Sequence, residues 1–450
     1  MKKIPLTLIG RLSIHQLITG LWQVADIEKE GQLFDPEEGA NILEQYHQDG
    51  FSTFDMADHY GSAELIVGKL LARFQNEQQR PIACTKWCPL PGQMTRKAVR
   101  VGVQQRLDRL GVQQLDLLQF HWWTFQHPAW LDALHELAEL RERGLIKELG
   151  VTNFDAAHLH LALADGVPIR SNQVSFSLLD RRAGGSLKEV CQTHNVKILA
   201  YGTLCGGFLS QKWLGQKDPE KISDWSRMKY RRFIKSSGGW DAFQSILAAA
   251  EKVAQKHKVS VANVATKWVL SQDHVAAVII GARVGETQHR RNNMELFQFE
   301  LDSEDLQSLK KHFEETIPVP GDCGDEYRRA PFLTASGDLS DHLVTIPYSN
   351  KKEAIQNRSN ADRISSGSEW EDVAGYCRAQ RIGNRIYVSG TTATAGLDRV
   401  VAPNDAGAQT TFILDKIIES LFKIQGGYAL TILSNKKLFG IRDPFGIRPL

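Results

Sequence analysis

Short apolar runs alternate along this chain with longer stretches whose apolar residues recur every three to four positions. The runs are Leu17–Gly20, Phe51–Asp55, Ile82–Lys86, Leu115–His121, Ile146–Asn153, Ser171–Ser177, Val196–Tyr201 and Val275–Gly281. Their length and flanking turns predict strands. The intervening stretches 37–49, 62–74, 94–110, 127–143, 155–165, 184–195, 241–257 and 261–270 predict amphipathic helices. Residues 1–16 precede this rhythm and read as a short hairpin turning near Gly10. Strand–helix repetition through about 320 residues suits an α/β fold, a closed (β/α)8 TIM barrel. The rival doubly wound sheet should carry a G-x-G-x-x-G turn after an early strand, and LITGLWQV has none.

The pattern changes near residue 318. VPGDCGDEYRR, TASGDLSDH and NKKEAIQNRSNADRISSGSE are rich in Gly, Ser, Asp and Asn, as expected of loop and linker. A smaller unit follows. RIYVSG predicts a strand over Arg385–Ser389, GAQTTFILDKIIESLF a helix over 407–422, and YALTILSNKKLFGIRD two strands joined at Ser434-Asn435. The expected organisation is therefore a barrel over 1–317, a loop extension over 318–343, a linker over 344–368, and a small α+β appendage built from 369–422 and 423–450.

Composition narrows the class. The 450 residues are 42% apolar and 24% charged, with a net charge of +2. Such a balance is that of a globular chain and gives no overall field toward nucleic acid or an anionic membrane. No run of 18 apolar residues occurs, and the basic start lacks the continuous apolar core of a leader, so a cytoplasmic protein is expected. The six cysteines fall into no metal-binding spacing, and no metal is expected.

Polar residues end three consecutive strand candidates: Asp55 ends FSTFD, Lys86 ends IACTK and His121 ends LDLLQFH. Tyr60 lies five residues beyond Asp55 in MADHYG. In a barrel these four meet at the mouth where active sites lie. An ammonium beside a phenol favours the phenolate, and a carboxylate keeps the ammonium charged and placed. A histidine can orient an incoming carbonyl oxygen. Each residue also has an ordinary reading: Asp55 as a helix cap or surface turn, Lys86 as a solvated strand end, Tyr60 as packing, His121 as a core histidine.

FDMADHYG, CTKW and LLQFHWW, in this order, resemble the aldo-keto reductase superfamily, as do GVTNF, SNQVSFSLLD and LAYGTLCGGFLS. The resemblance covers residues from about 5 to about 343. It implies a (β/α)8 oxidoreductase using NADP(H), with Tyr60 as general acid, Lys86 and Asp55 tuning it and His121 orienting a small carbonyl substrate. It further implies that Asn153, Ser171, Asn172 and Gln173 meet the nicotinamide and that Tyr201 stacks on it. Leu204, Gly206 and Leu209 would shape the pyrophosphate loop. Arg283 would clamp the 2′-phosphate, with Gln288 and Asn293 on the adenine side. HRRNN departs from the commoner acidic ending of that motif. Trp22 and Trp123 could wall the substrate pocket, or simply pack loops onto the barrel.

WEDVAGYCRAQRIGNRIYVSGTTATAG through DAGAQTTFILDKIIESL resembles the first half of the RidA-like reactive-imine deaminases, with Tyr376 and Ser389 at pocket positions. The strand carrying that family's arginine is missing. IQGGYALTILSNKKLFGIRDPFGIRPL resembles an internal piece of the glutamine amidotransferase domain of amidophosphoribosyltransferase, without its N-terminal cysteine. Two incomplete modules in series suggest a fusion, whose exposed strand edges could join copies into a homo-oligomer. Three functions compete: a carbonyl reductase, a cofactor-holding barrel that acts through partners, and a tail with imine deaminase or amidotransferase activity. The complete four-residue set favours the first.

Overall fold

A computed structural model describes residues 3–24 and 33–328, apart from 75, 77, 78, 126–128, 223 and 285–288. Beyond these it describes 352–354, 361–365, 369–422 except 384, 397 and 398, and the strands over 429–433 and 438–442. Strands β1 (Leu6–Ile9) and β2 (Leu12–His15) form the expected hairpin, turned by Gly10 at φ 58°.

Eight parallel strands then close into a barrel. They are β3 (Leu17–Gly20), β4 (Thr53–Asp55), β5 (Ile82–Trp87), β6 (Leu115–His121), β7 (Ile146–Thr152), β8 (Ile169–Ser175), β9 (Lys197–Tyr201) and β10 (Val275–Gly281). Strand β10 pairs with β3, which completes the closure. Every predicted strand is present, with ends shifted by up to two residues. Around the barrel run α1 (Pro36–Gln48), α2 (Ala63–Leu71), α3 (Arg96–Leu110), α4 (Trp130–Glu142), α5 (Ala156–Ala164), α6 (Ser186–Thr193), α7 (Trp225–Ser236), α8 (Gly239–His257), α9 (Val261–Leu270), α10 (Arg290–Glu295) and α11 (Ser303–Phe313). Asp35, Thr95, Asp155, Asp224, Ser260 and Asp302 cap helix N-termini through their side chains, satisfying amides the helix leaves open.

Alternation along the strands separates two environments. Outward residues such as Phe54, Ala83, Trp87, Leu118, Phe120, Val151 and Val174 join the large apolar layer beneath the helices. Inward residues near the barrel floor, among them Ile18, Cys84, Leu117, Leu199 and Ala277, pack with Ile9, Leu12 and Ile14 of the hairpin. The hairpin is thus the floor of the barrel. Glu148, fully buried on β7, fixes it by accepting the Arg11 backbone N–H at 2.7 Å and an Arg141 guanidinium hydrogen at 3.3 Å. Two residues further along the same inward columns, the side chains turn polar. That change of chemistry from floor to mouth creates the site.

The region after 328 differs from expectation. Strands β11 (Lys352–Ala354) and β12 (Ala361–Ile364) lie inside the stretch expected to be linker. They pair antiparallel with β13 (Ala379–Ile382), which pairs with β14 (Arg385–Val388). Helices α12 (Glu369–Ala374) and α13 (Ala406–Phe422), the short β15–β16 pair (Thr394–Ala395 and Arg399–Val400) and the hairpin β17–β18 (Ala429–Leu433 and Leu438–Arg442) complete the described appendage. Ala402, Ala408 and Phe412 join the barrel's apolar layer. Among the described residues no helix is long and apolar enough to cross a membrane.

Helix α2 approaches α3 unusually closely at Gly68. A Cβ there would lie 2.6 Å from the Arg109 carbonyl oxygen, a backbone atom that cannot swing aside. Gly68→Ala should therefore destabilise the barrel by about 1–3 kcal/mol. Thermal unfolding should show a midpoint several degrees lower, and an unchanged midpoint would contradict the close packing.

Candidate active site

The inward columns of β4, β5, β6 and β8 bring Asp55, Lys86, Gln119, His121 and Gln173 together at the C-terminal ends of the strands. Lys86 is only 2% exposed. A lone ammonium at such depth would be strongly disfavoured. Here it donates to Asp55 Oδ2 at 2.6 Å and to the Met56 carbonyl at 2.9 Å. Asp55 Oδ1 accepts from Gln119 at 3.1 Å and from Gln173 at 2.7 Å, and Gln173 also donates to Gln119 Oε1 at 2.9 Å. Both carboxylate oxygens are therefore occupied. Ser62, not Asp55, stands at the N-cap of α2.

Tyr60 enters from the loop after β4. Lys86 Nζ lies 4.9 Å from the centre of its ring. Trp22 meets that ring edge-on, 5.0 Å between centroids at 78°, and His59 does so at 4.8 Å and 84°. His59 is fixed by Asp58, whose Oδ1 lies 3.0 Å from its Nδ1. Burial opposes ionisation of Asp58, but His59, Arg106 and the Cys88 N–H outweigh it and hold its pKa below the usual carboxylate value. His121 stands across the mouth, its ring 3.8 Å from that of Trp123. Burial, reinforced by the neighbouring His59, Arg328, Lys86 and Lys229, holds its pKa well below 6.5. It is therefore a neutral imidazole, suited to hydrogen bonding and not to carrying charge. Trp22 and Trp123 thus flank His59, each ring 6.3 Å from its own, and sequence reasoning had not singled His59 out.

A second set of groups surrounds Asn153. This residue adopts φ 57°, a left-handed conformation that asparagine tolerates better than most residues. Its Nδ2 lies 3.4 Å from His121 Nε2, and its Oδ1 accepts from Tyr201 OH at 2.9 Å. Ser171 sits on the same inward column as Gln173, its Oγ buried without a hydrogen-bond partner. Asn172 points the other way. Its amide accepts from the Phe154 N–H at 3.3 Å and donates to the Phe154 carbonyl at 2.8 Å, so alternation along β8 removes it from the inner group.

The segment over 321–328 folds back across this end of the barrel. Tyr327 accepts from Lys229 at 2.7 Å, comes within 3.4 Å of Tyr201 OH, and lies 5.5 Å ring to ring from Trp123. Burial depresses Lys229, but Tyr327, Tyr230 and Glu326 carry its pKa above the ordinary lysine value. Glu326 is buried as well, yet Arg182 and Lys229 hold its pKa down to about 2. Arg328 donates to the Asn153 carbonyl. Lys229, Tyr327 and Arg328 escaped the sequence reading because their partners lie far away along the chain.

Gly206, at φ 64°, lets the loop after β9 pass close to α7: a Cβ there would approach the Tyr230 ring at 3.0 Å and the Arg227 backbone at 3.3 Å. Leu204 and Leu209 close that loop through a 3.1 Å backbone hydrogen bond. Arg283 reaches across to Asp224 at 2.9 Å. Lys212 lies near enough to Arg227 and Arg283 that burial and their repulsion together lower its pKa. Arg227 Nε is buried without a hydrogen-bond partner. Three cations with an unused buried donor suit an anionic group. Asn293 lines a small cavity with Leu17, Tyr46, Phe51, Ala282 and His289. Gln288 lies outside the described residues.

This architecture has counterparts. The sequence profile of the Aldo/keto reductase family matches residues 16–314, and the chain belongs to that family. It is 30% identical over 311 residues to Protein tas of Escherichia coli, covering 60% of this chain and 88% of that protein. It is 25% identical over 284 residues to the chloroplastic pyridoxal reductase of Arabidopsis thaliana, covering 59% and 75%, and 22% identical over 321 residues to the NADH-specific methylglyoxal reductase of Escherichia coli, covering 65% and 92%. The glycerol dehydrogenase of Gluconobacter oxydans shares the fold at a TM-score of 0.57 and 22% identity, over 70% of this chain and 97% of that one. An aldo/keto reductase from Klebsiella pneumoniae in complex with NADP and acetate does so at 0.51 and 21%, over 71% and 98%. The protein is an oxidoreductase of the carbonyl-reducing kind.

A buried neutral His121 has a consequence for stability. The unfolded chain takes up a proton near pH 6.5 that the folded site resists, so stability should fall as pH drops through that region. His121→Gln should flatten this slope in denaturant titrations between about pH 5 and 7. An equal slope in both proteins would contradict a neutral His121.

Proposed function

We propose that this chain reduces an aldehyde or ketone with NADPH, and that Tyr60 gives the proton to the carbonyl oxygen. The observation that carries this reading is the buried Lys86, clamped by Asp55 at 2.6 Å and set 4.9 Å from the Tyr60 ring. An ammonium in that position lowers the cost of phenolate formation as the proton leaves. Asp55, held by two glutamine amides, keeps the ammonium from moving away. His121 offers a neutral ring that can donate a hydrogen bond to the same oxygen and orient it. As negative charge builds on that oxygen, both donors bind it more strongly than they bind the starting carbonyl. Trp22, His59 and Trp123 form an aromatic rim that favours an apolar or planar substrate body over a fully hydrated one.

The residues present fit a nicotinamide dinucleotide. Ser171 Oγ and Arg227 Nε are buried donors without partners, and ligand groups would satisfy them. Asn153, Ser171 and Gln173 would hold the carboxamide, and Tyr201 would back the ring. Leu204, Gly206 and Leu209 would admit the pyrophosphate, and Asn293 would face the adenine. When bound, the cofactor supplies hydride to the carbonyl carbon. Arg283 would exchange Asp224 for a 2′-phosphate, with Lys212 and Arg227 adding to the field. That triad favours NADPH, in contrast to the NADH preference named for the methylglyoxal reductase relative. The tail's likenesses to imine deaminases and to an amidotransferase carry no activity in this reading, since key residues of both are missing from the sequence.

Tyr60→Phe should lower kcat by about 10²- to 10⁴-fold while leaving NADPH affinity nearly intact. Turnover of a panel of small aldehydes, followed through NADPH absorbance, checks this, and unchanged turnover would sink the assignment. Arg283→Ala should weaken NADPH more than NADH in binding titrations. Equal weakening would show that Arg283 does not read the 2′-phosphate.

A further inference from the structure

The appendage meets the barrel through one defined face, and that face leads to the active site. Helix α13 lies along α5, with Ala408 and Phe412 in the shared apolar layer. Around this contact α5 presents histidines and its C-cap, and the appendage answers with opposite charge. His158 Nε2 lies 3.1 Å from Asp415 Oδ2, and His160 Nε2 lies 2.8 Å from Asp405 Oδ2. Asp165 accepts the Ala402 N–H at 2.8 Å and an Arg399 guanidinium hydrogen at 2.6 Å, with His135 at 2.7 Å from the same carboxylate.

The middle pair continues inward. His158 Nδ1 faces Asp155 Oδ1 at 2.7 Å, so the ring stands between two carboxylates. Its plane stacks on Phe125 at 3.5 Å and 6°. The Arg328 guanidinium covers Phe125 at 4.2 Å and reaches Asp155 at 3.8 Å. The same Arg328 donates to the carbonyl of Asn153, whose side chain touches His121 and Tyr201.

We propose that α13 is an intramolecular partner of the α5 face, and that Asp415 acts through His158 and Arg328 as a positioning residue for Asn153. The inference rests on the reductase reading for the role of Asn153. Its physical basis is competition for Asp155. With Asp415 beside it, His158 stays protonated and uses Asp155 as its counter-ion. Without that second carboxylate, His158 loses its proton at lower pH, and Arg328 becomes the cation close to Asp155 among the described residues. Arg328 is then drawn toward Asp155 and away from the Asn153 carbonyl. Asn153 relaxes from its left-handed conformation, and the cofactor end of the site loosens.

The groups facing His158 fix the pH window. Asp155 and Asp415 favour its charged form and burial opposes it, with the Arg328 cation 3.8 Å from Asp155. Burial lowers its pKa, but Asp155 and Asp415 together raise it to about 9. A raised histidine pKa means the contribution is present below the ordinary value of 6.5 and is lost as pH rises through about 9.

The test uses the full chain. His158 is titrated by NMR, and NADPH affinity is measured by fluorescence from about pH 7 to 9.5, in the native protein, Asp415→Asn and Asp415→Glu. The proposal expects native affinity to hold until His158 deprotonates. It expects Asp415→Asn to lose affinity several-fold about one pH unit earlier, with kcat at saturating NADPH little changed and Asp415→Glu restoring the native curve. Two results overturn it. One is a native His158 titrating at or below the ordinary histidine value, which removes the docking contact and needs no variant. The other is superimposable NADPH affinity curves for native protein and Asp415→Asn, which removes the relay. A native chain that binds no nicotinamide cofactor at any pH would overturn the reductase reading and the relay with it, whereas the His158 titration decides the docking independently.

Discussion

A single buried ion pair organises the mouth of this barrel. At its depth Lys86 depends on Asp55 as a counter-charge, and Asp55 in turn depends on donors to both of its oxygens. Those donors come from β5, β6 and β8. Four strands must therefore hold their register for one proton-bearing ammonium to persist beside Tyr60. Removing either partner would leave the other uncompensated, so the pair resists drift toward apolar replacements only if charge is needed there. The position of the phenol next to it gives that need a chemical content.

The rest of the structure keeps this arrangement in place. The hairpin and Glu148 close the floor, and the inward columns end in polar groups at the mouth. Neutral His121 adds a donor without adding repulsion to Lys86. The fold-back of 321–328 surrounds Tyr201 and Asn153 with a second balanced set, in which Glu326 and Asp180 offset Lys229 and Arg182.

Much of this was legible in the sequence because strand and helix periods are local. All eight barrel strands came from apolar runs, and Asp55, Lys86 and His121 came from what ended those runs. The reading of α7 failed because WSRMKYRRFIKS is dominated by basic residues. Its buried Tyr230, Phe233 and Ile234 do keep helical spacing, but the charges hide it. Strands β11 and β12 read as linker because KEA and ADRI lack alternating apolar residues. Asn172 looked equivalent to Ser171 and Gln173 until alternation along β8 put it on the outer face. Gln119 was the one site residue that could have been found: it sits two positions before His121, on the same inward column. Tyr327, Lys229 and Arg328 had no local signal, since distant chain segments define their roles.

The central claim is that Lys86 makes the Tyr60 phenol a better acid. An ultraviolet difference titration tests it most directly, with the Tyr60 signal isolated by subtracting Tyr60→Phe, in the native background and again with Lys86→Met. The account predicts that Tyr60 ionises at distinctly lower pH when Lys86 is present. Identical ionisation with and without the lysine would contradict it.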